Sequence, residues 1–335
     1  MTTTTAVPDF ATLVREFFCG RLIAQQNVST RTVTSYRDTF RLLLNFFAEC
    51  RGRPPTALTL VDLDAPTVLA FLDHLEQRRG NCVRTRNARL AALRSFLKYA
   101  ATRDPASLPA VQRVLAIPMK RFPRPLLEYL CREEVAAILA APAESTFSGQ
   151  RDRILFALMY NTGARVSEAI GLRRSDLELA RSRTVRIEGK GRKQRVIPLW
   201  PRTAERLREW PPRIGQEPET PLFPNSQGGA LSRSGLEDRL QGAVRIAMVR
   251  CPTLKGRRIS PHTLRHTTAM HLLQSGVDIT VIALWLGHEG TETTHQYIEA
   301  NLAMKEKALS RIEELPSPAL RYRADDELLR FLEGL

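Results

Sequence analysis

Apolar residues recur at three- and four-residue spacing through the N-terminal part of the chain, which is the periodicity of amphipathic α-helices. The pattern predicts four helices, in the stretches FATLVREFFCGRLI, RTVTSYRDTFRLLLNFFAEC, APTVLAFLDHLEQRR and VRTRNARLAALRSFLKYAA. Loops with Gly52, Pro54 and Pro55, and then Gly80 and Asn81, lie between them. We therefore expect a small all-α domain over residues 8–117.

Prolines are dense in the next stretch, ATRDPASLPAVQRVLAIPMKRFPRPLLEYL. Proline breaks helices, and the residue before a proline favours extended backbone. The sequence therefore predicts a linker at residues 118–125 and a second domain over residues 126–335.

The second domain mixes helical and strand patterns. CREEVAAILAAP and GQRDRILFALMYNTG predict opening helices. In RTVRIEGKGRKQRVIPL, alternating apolar residues flank a Gly-Lys-Gly turn, which is typical of a β-hairpin with Lys190 at its tip. Helical periodicity resumes from about Leu236 and continues through TLRHTTAMHLLQSG and DITVIALWLGH. The expected fold is mainly α with a small antiparallel β-sheet.

The charge of the chain points to a polyanionic partner. Fifty Lys and Arg against 35 Asp and Glu give a formal net charge of +15, which favours nucleic acid. A genome rich in G and C would also raise the arginine count. The fourth helix is especially basic and is either a solvated face or a DNA contact; its candidates are Arg84, Arg86, Arg89, Arg94 and Lys98.

Several classes of protein are disfavoured. The chain has no run of 18 apolar residues and its start, MTTTTAVPDF, does not resemble a secretory signal. Five scattered cysteines without a CxxC pair indicate reduced thiols rather than a disulfide framework or a zinc site. We expect a cytoplasmic protein without membrane, metal or organic cofactor.

The candidate catalytic residues are unremarkable one at a time. An arginine after a glycine, a lysine at a hairpin tip or a tyrosine on an amphipathic helix each has an ordinary structural explanation. In SPHTLRHT, Ser260 and Pro261 predict a helix N-terminus, and His262 and Arg265 share one face of that helix. A lone His262 is more often structural than catalytic. Three other histidines, His266, His271 and His295, are assigned to packing.

Taken together, the contexts TGARVSE, GKGRKQR, SPHTLRHT and LGHEGTETTHQY, in this order, resemble the catalytic domain of the tyrosine recombinases, the phage integrase family that includes the Xer enzymes. The resemblance covers most of residues 124–310, and the N-terminal helices are more loosely similar to that family's SAM-like core-binding domain. It implies a set of catalytic residues and, in Glu168, a supporting acidic residue near the first catalytic arginine. The implied catalytic residues are Arg165, Lys190, His262, Arg265, His288 and the nucleophile Tyr297.

The implied reaction transfers a DNA phosphoryl group to a tyrosine and back. Arg165, Arg265 and His288 would stabilise charge on the non-bridging oxygens. His262 is the expected acceptor of the Tyr297 proton. Lys190 is the expected general acid that protonates the departing 5′ oxygen. Arg192 and Lys193, close to it in the sequence, are expected as further DNA contacts. Arginines in this role make a divalent metal unnecessary, and a phosphotyrosyl bond makes ATP unnecessary.

The resemblance also implies a homo-tetramer, or a hetero-tetramer with a related recombinase, on double-stranded DNA. Residues 316–335 would pass into a neighbouring subunit, or alternatively fold back on their own domain. A type IB topoisomerase and a non-catalytic DNA-binding relative are the alternatives. Dense arginine usage and the divergent N-terminal domain favour a mobile-element recombinase over a chromosome-resolution enzyme.

Overall fold

The structure is a computed structural model that describes residues 9–123, 127–189, 193–210, 214–215, 217–288 and 297. The chain forms two compact units, Met1–Arg124 and Pro125–Leu335. Within the described residues, all five cysteines are free. No helix in these ranges is long and apolar enough to cross a membrane.

In the described residues of the first unit, all regular secondary structure is helical. An α-helix that begins at Phe10 continues as a π-helix, and four more α-helices follow it. The bounds are α1 Phe10–Arg15, the π-helix Glu16–Gln25, α2 Thr30–Arg51, α3 Ala65–Gln77, α4 Val83–Arg103 and α5 Leu108–Leu115. Short 3₁₀ turns occupy Pro55–Ala57, Leu60–Asp62 and Pro105–Ser107. The four predicted helices are confirmed.

The prediction of extended chain after Ala101 was wrong at α5. Pro109 lies in the first turn of this helix, where the missing N–H has no intrahelical acceptor and the fixed φ suits the helix. Val111 and Val114 of α5 are buried in the core of the unit. Burial of this apolar face stabilises a helix that the prolines obscure in the sequence.

The core of the first unit contains a cluster of phenylalanines among aliphatic side chains. Phe17, Phe40 and Phe96 are buried and contact one another, with Phe40 edge-on to Phe96 at a ring-centroid distance of 5.1 Å. Edge-on pairs at this distance add to the free energy of burial because the positive ring edge meets the negative face. The core joins α1, the π-helix and helices α2 to α5.

The second unit surrounds a small sheet with helices. Its bounds are α6 Arg132–Ala140, α7 Phe147–Thr162, α8 Val166–Gly171, β1 Leu177–Glu178, β2 Thr184–Glu188, β3 Gln194–Pro198, α9 Pro201–Glu209, α10 Arg233–Arg250, α11 Pro261–Gln274 and α12 Ile279–Leu286. The strands are antiparallel in the order β1-β2-β3. Helix α9 was not predicted, because its sequence is almost entirely polar apart from Ala204 and Leu207. The predicted fold class is confirmed.

The register of the hairpin decides which side chains face the core. Ile187 of β2 pairs with Arg195 of β3, and Val185 pairs with Ile197. Val185, Ile187 and Ile197 are buried, and side chains alternate between the two faces of a strand. Arg195 therefore lies on the same face as these apolar residues, while Val196 is 61% exposed.

Candidate active site

Arg165 is positioned by the turn between α7 and α8. Helix α7 ends at Gly163, whose φ of 62° is left-handed, and Arg165 is the N-cap of α8. The buried Glu168 carboxylate accepts a bond from the backbone N–H of Arg165 at 2.9 Å and another from its Nη1 at 2.8 Å. One carboxylate thus fixes both the main chain and the guanidinium of Arg165.

Arg265 is held inside the domain on α11. The predicted helix start is confirmed, because the Ser260 side chain accepts a bond from the Thr263 backbone N–H and Pro261 is the first residue. Arg265 is 3% exposed, and it donates from Nη1 to the Gly163 carbonyl at 2.5 Å and from Nη2 to the Leu286 carbonyl at 2.7 Å. Helix ends leave carbonyls without intrahelical donors, so Arg265 joins the ends of α7 and α12.

The end of α12 contacts Arg165 and leads directly into His288. Gly287 caps the helix with a φ of 65°, and its carbonyl accepts a bond from Nη2 of Arg165 at 3.3 Å. The next residue, His288, is anchored by a bond from its backbone N–H to the Ala283 carbonyl at 3.0 Å. Arg265 thus binds the carbonyl of Leu286 and Arg165 binds the carbonyl of Gly287. Both guanidinium groups therefore lie beside the next residue, His288.

The hydroxyl of Tyr297 lies close to this group. Tyr297 is 1% exposed, and its Oη lies 2.9 Å from Nδ1 of His266. Its ring is nearly parallel to that of His288, with 6.4 Å between ring centroids. The ring of His262 lies 6.0 Å from that of His266. One partner of the Tyr297 hydroxyl is thus His266, a histidine that the sequence pattern had assigned to packing.

Arg195 is the second residue that the sequence analysis missed. Its Nη2 donates to Glu168 Oε2 at 2.6 Å, and its Nε donates to the Trp285 carbonyl at 2.9 Å. The sequence held a signal for it, since a charged residue occupies a core-facing position of an alternating strand. For His266 the signal was its position four residues after His262, which places both rings on one helix face.

The electrostatics of the group favour an anion. Burial, followed by the charge of Arg165, lowers the pKa of Arg265 to about 10. Burial, with smaller effects of His262 and Arg265, lowers the pKa of His266 to about 4. Burial and then Arg265 and Arg165 lower the pKa of His288 to about 4. Further positive charge is unfavourable here, and both histidines are neutral near pH 7.

The pKa of Glu168 moves the opposite way from what burial alone would produce. Burial raises it, but the hydrogen bond and charge of Arg195, followed by the bonds from Arg165, bring the net pKa below the ordinary value. The carboxylate is therefore ionised at neutral pH and balances part of the charge of the two arginines that it contacts.

Some predicted residues lie outside the described part of the chain, namely Lys190, Arg192, His295 and the segment 316–335. Lys193 is exposed, and its carbonyl accepts a bond from the Gly189 N–H at 2.8 Å. His271 is structural as predicted, because it is buried and bonds the Tyr160 hydroxyl at 2.7 Å. In the described ranges, no three His, Cys, Asp or Glu residues form a group that could hold a metal ion.

The predicted DNA-binding residues of α4 divide into two sets. Arg84 and Lys98 are exposed. Arg86 is 2% exposed and pairs with Glu76 at 3.6 Å, so its guanidinium faces the interior of the unit.

Two further α4 arginines contact the backbone of their own unit. Arg89 donates to the Ser35 carbonyl at 2.9 Å, and Arg94 donates to the carbonyls of Leu115 and Ile117. Burial and these bonds give Arg86, Arg89 and Arg94 roles in holding the first unit together.

Comparison with known proteins places both units in one family. The profile of the phage integrase family matches residues 128–304, and the profile of the phage integrase N-terminal SAM-like domain matches residues 16–104. An integrase/recombinase of Sinorhizobium fredii, y4rC, is 47% identical over 325 residues, which are 97% of this chain and 98% of that protein.

Two further similarities extend the comparison. The tyrosine recombinase XerC of Rhodospirillum centenum is 37% identical over 285 residues, which cover 83% of this chain and 80% of that protein. Among solved structures, the XerH site-specific recombinase bound to its difH substrate has a TM-score of 0.63 at 24% identity, with 83% of this chain and 79% of that chain covered.

Proposed function

Since the chain belongs to the phage integrase family of tyrosine recombinases, we propose that it cleaves and rejoins DNA strands at specific sites through a 3′-phosphotyrosyl intermediate. The observation that carries this proposal is the meeting of Arg165, Arg265 and His288 near the Tyr297 hydroxyl. These residues come from four separate parts of the second unit.

The arginines are prepared to bind a phosphate. A guanidinium has five N–H donors, and the bonds described above take one Nη1 and one Nη2 donor from each of Arg165 and Arg265. These bonds fix the guanidinium planes while further donors serve the non-bridging oxygens. Preorganised donors in a site of low dielectric stabilise the developing charge strongly, and removing one costs about 3 kcal/mol.

The charge balance of the group supports the same ligand. Three guanidinium groups, those of Arg165, Arg195 and Arg265, lie around the Glu168 carboxylate. Burial is the main cause that lowers the pKa of Arg265 and of both nearby histidines, and neighbouring positive groups lower each pKa further. A phosphodiester anion would offset this positive charge.

In the proposed reaction, Oη of Tyr297 attacks the phosphorus, and the bond from phosphorus to the 5′ oxygen breaks. The phenol proton passes to Nδ1 of His266, which is 2.9 Å away and neutral near pH 7. The sequence-based assignment of this role to His262 stays a prediction, and the variants His262→Ala and His266→Ala separate the two. Lys190 protonates the departing 5′ oxygen.

The reverse step completes strand exchange. A 5′-hydroxyl of a second duplex attacks the phosphotyrosyl bond, which releases the tyrosine and forms a new phosphodiester. One phosphoester replaces another at each step, so the proposed reaction requires neither ATP nor a divalent metal.

The proposed biological role is recombination of a mobile element. The identity to the integrase/recombinase y4rC is 47%, against 37% to XerC of Rhodospirillum centenum. Exchange between two duplexes requires four active sites, so the proposed assembly is a tetramer on double-stranded DNA, with residues 316–335 joining neighbouring subunits. Arg84, Lys98, Arg192 and Lys193 are the proposed DNA-contacting residues, and the proposed location is the cytoplasm, where this DNA lies.

The test is covalent trapping on nicked DNA. Selection of bound duplexes from a random pool identifies the site, and a nick just beyond the cleaved phosphate lets the short 5′-hydroxyl fragment diffuse away. Wild type should become attached to the DNA, and Tyr297→Phe should not. The matched control is Tyr160→Phe, because Tyr160 also bonds a histidine, His271, within the same unit.

The outcomes separate the alternatives. Attachment of both wild type and Tyr297→Phe, or of neither, contradicts the assignment of the nucleophile. Efficient relaxation of a supercoiled plasmid that lacks the selected site would favour topoisomerase activity over site-specific exchange.

A further inference from the structure

Arg195 occupies a position where the strand pattern calls for an apolar residue. It lies on the core face of β3, opposite Ile187, and its side chain is only 10% exposed. Burying a charge is costly unless it is paired and hydrogen-bonded. The contacts that compensate for this cost therefore indicate what Arg195 does.

Those contacts connect two parts of the proposed site. The two Glu168 oxygens contact different guanidinium groups, since Oε1 accepts from Nη1 of Arg165 at 2.8 Å and Oε2 accepts from Nη2 of Arg195 at 2.6 Å. Oε2 also accepts from the Arg165 backbone N–H. The Nε of Arg195 binds the Trp285 carbonyl at 2.9 Å, in the last turn of α12. A single side chain thus contacts both the carboxylate that orients Arg165 and the helix that precedes His288.

Gly287 fits closely against the same guanidinium. A Cβ added at Gly287 would lie 2.9 Å from Nη1 and 3.3 Å from Cζ of Arg195. The φ of 65° at this position already favours glycine. The close approach is a second reason for glycine here, and it places Arg195 directly against the backbone that supports His288.

We propose that Arg195 is a positioning residue that couples the β2–β3 hairpin to the two sides of the active site. It acts on Arg165 through Glu168 and on His288 through the end of α12. This inference rests on the proposed recombinase function. Lys190, the proposed general acid, lies in the sequence between β2 and β3, five residues before Arg195, so the coupling fixes the strand that follows it.

Three variants test the coupling. Arg195→Met keeps much of the side-chain volume and removes every donor. Arg195→Lys keeps the charge but cannot bind Glu168 and the Trp285 carbonyl together through a planar fork. The matched control is Arg186→Met, on the neighbouring strand, because Arg186 points to the opposite face of the sheet and its side chain is 51% exposed.

The first measurement is covalent trapping on the nicked substrate at saturating DNA. Arg195→Met should react about 100-fold more slowly, as expected for misplacement of catalytic groups, while its Kd for DNA stays close to that of wild type. Arg195→Lys should be intermediate, and Arg186→Met should react like wild type. Combining Arg195→Met with Glu168→Gln should slow the reaction less than the product of the two single effects.

The second measurement is amide hydrogen exchange without DNA. The N–H groups of Gly287 and His288 bond the carbonyls of Leu284 and Ala283. Loss of the Arg195 contact should accelerate exchange at these two amides while amides in the middle of α7 exchange as in wild type. This readout does not depend on catalysis, and Arg195→Lys serves if Arg195→Met does not fold.

Trapping of Arg195→Met or Arg195→Lys at the wild-type rate would overturn the proposal, and so would strictly multiplicative effects with Glu168→Gln. Uniformly faster exchange throughout the unit would also overturn it, because Arg195 would then only stabilise the fold. If wild type forms no covalent complex, the recombinase proposal fails. The exchange at Gly287 and His288 would still decide whether Arg195 holds the end of α12.

Discussion

Acidification to pH 5 should leave the proposed chemistry intact while it reduces the stability of the fold. Burial, with smaller effects of His262 and Arg265, lowers the pKa of His266 to about 4, and burial with Arg265 and Arg165 does the same for His288. A group with a pKa of about 4 is still about 90% neutral at pH 5. A histidine of ordinary pKa, near 6.5, would be only about 3% neutral there.

The rate of covalent trapping distinguishes a proton acceptor with a lowered pKa from one with an ordinary pKa. If neutral His266 accepts the Tyr297 proton, the second-order rate constant for covalent trapping should change by less than about twofold between pH 7 and pH 5. An acceptor of ordinary pKa would lower it about 25-fold over the same range. Measurement at subsaturating nicked DNA is required, because that rate constant reports the pKa values of the free enzyme.

The free energy of unfolding, unlike the trapping rate, should fall when the pH is lowered to 5. A histidine with a lowered pKa binds fewer protons in the folded state than in the unfolded state. Its contribution is fully present above pH 6.5 and is lost as the pH falls through about 4. At pH 5 the loss is about 2 kcal/mol for His266. It is smaller for His288, which is less buried, because solvent screens its charge. The lowered pKa values of His262 and His271 act in the same direction.

Urea unfolding at pH 8 and pH 5 measures this loss. The control is His266→Gln, whose amide does not titrate, so its loss of stability should be smaller than that of wild type by about 2 kcal/mol. A trapping profile with a midpoint near pH 6.5, or equal losses of stability in both proteins, would refute the buried, neutral state of His266.

Three further predictions concern the fold and the DNA contact. Gly163→Ala should lower the free energy of unfolding by about 2–4 kcal/mol. Gly163 has a φ of 62°, and the added Cβ would clash with Cδ2 of Leu286. Unchanged urea unfolding would contradict the packing of α7 on α12. Arg94→Met should destabilise the first unit by about 2–4 kcal/mol because two carbonyls lose a charged donor. The control Lys98→Met, at an exposed position, should change stability by less than about 0.5 kcal/mol and should weaken DNA binding. Circular-dichroism melts measure the stability of both variants, and gel shifts measure their DNA binding. DNA affinity should fall steeply from 50 to 200 mM salt, because bound arginines and lysines release counterions, and a fluorescence-anisotropy titration with a flat salt dependence would oppose a phosphate-tracking interface.

Local patterns in the sequence predicted most of the helices, although not α5 or α9, and the order of the candidate residues. The period of apolar positions gave α2, α3 and α4 within a few residues of their observed ends. Ser260 and Pro261 marked the start of α11, and therefore the face that carries His262 and Arg265. These features depend on interactions over three or four residues, which a single sequence contains.

The tertiary structure decided which side chains hold the site together. The bond from His266 to Tyr297 spans 31 positions, and the bond from Arg165 to the Gly287 carbonyl spans 122. Such partners are set by the packing of α7, α11, α12 and β3 around one point, so no local period reveals them. The same packing directs Arg195 inward, and the separate packing of the first unit buries Arg86. In both cases burial changes a basic residue from a surface charge into a fixed internal contact.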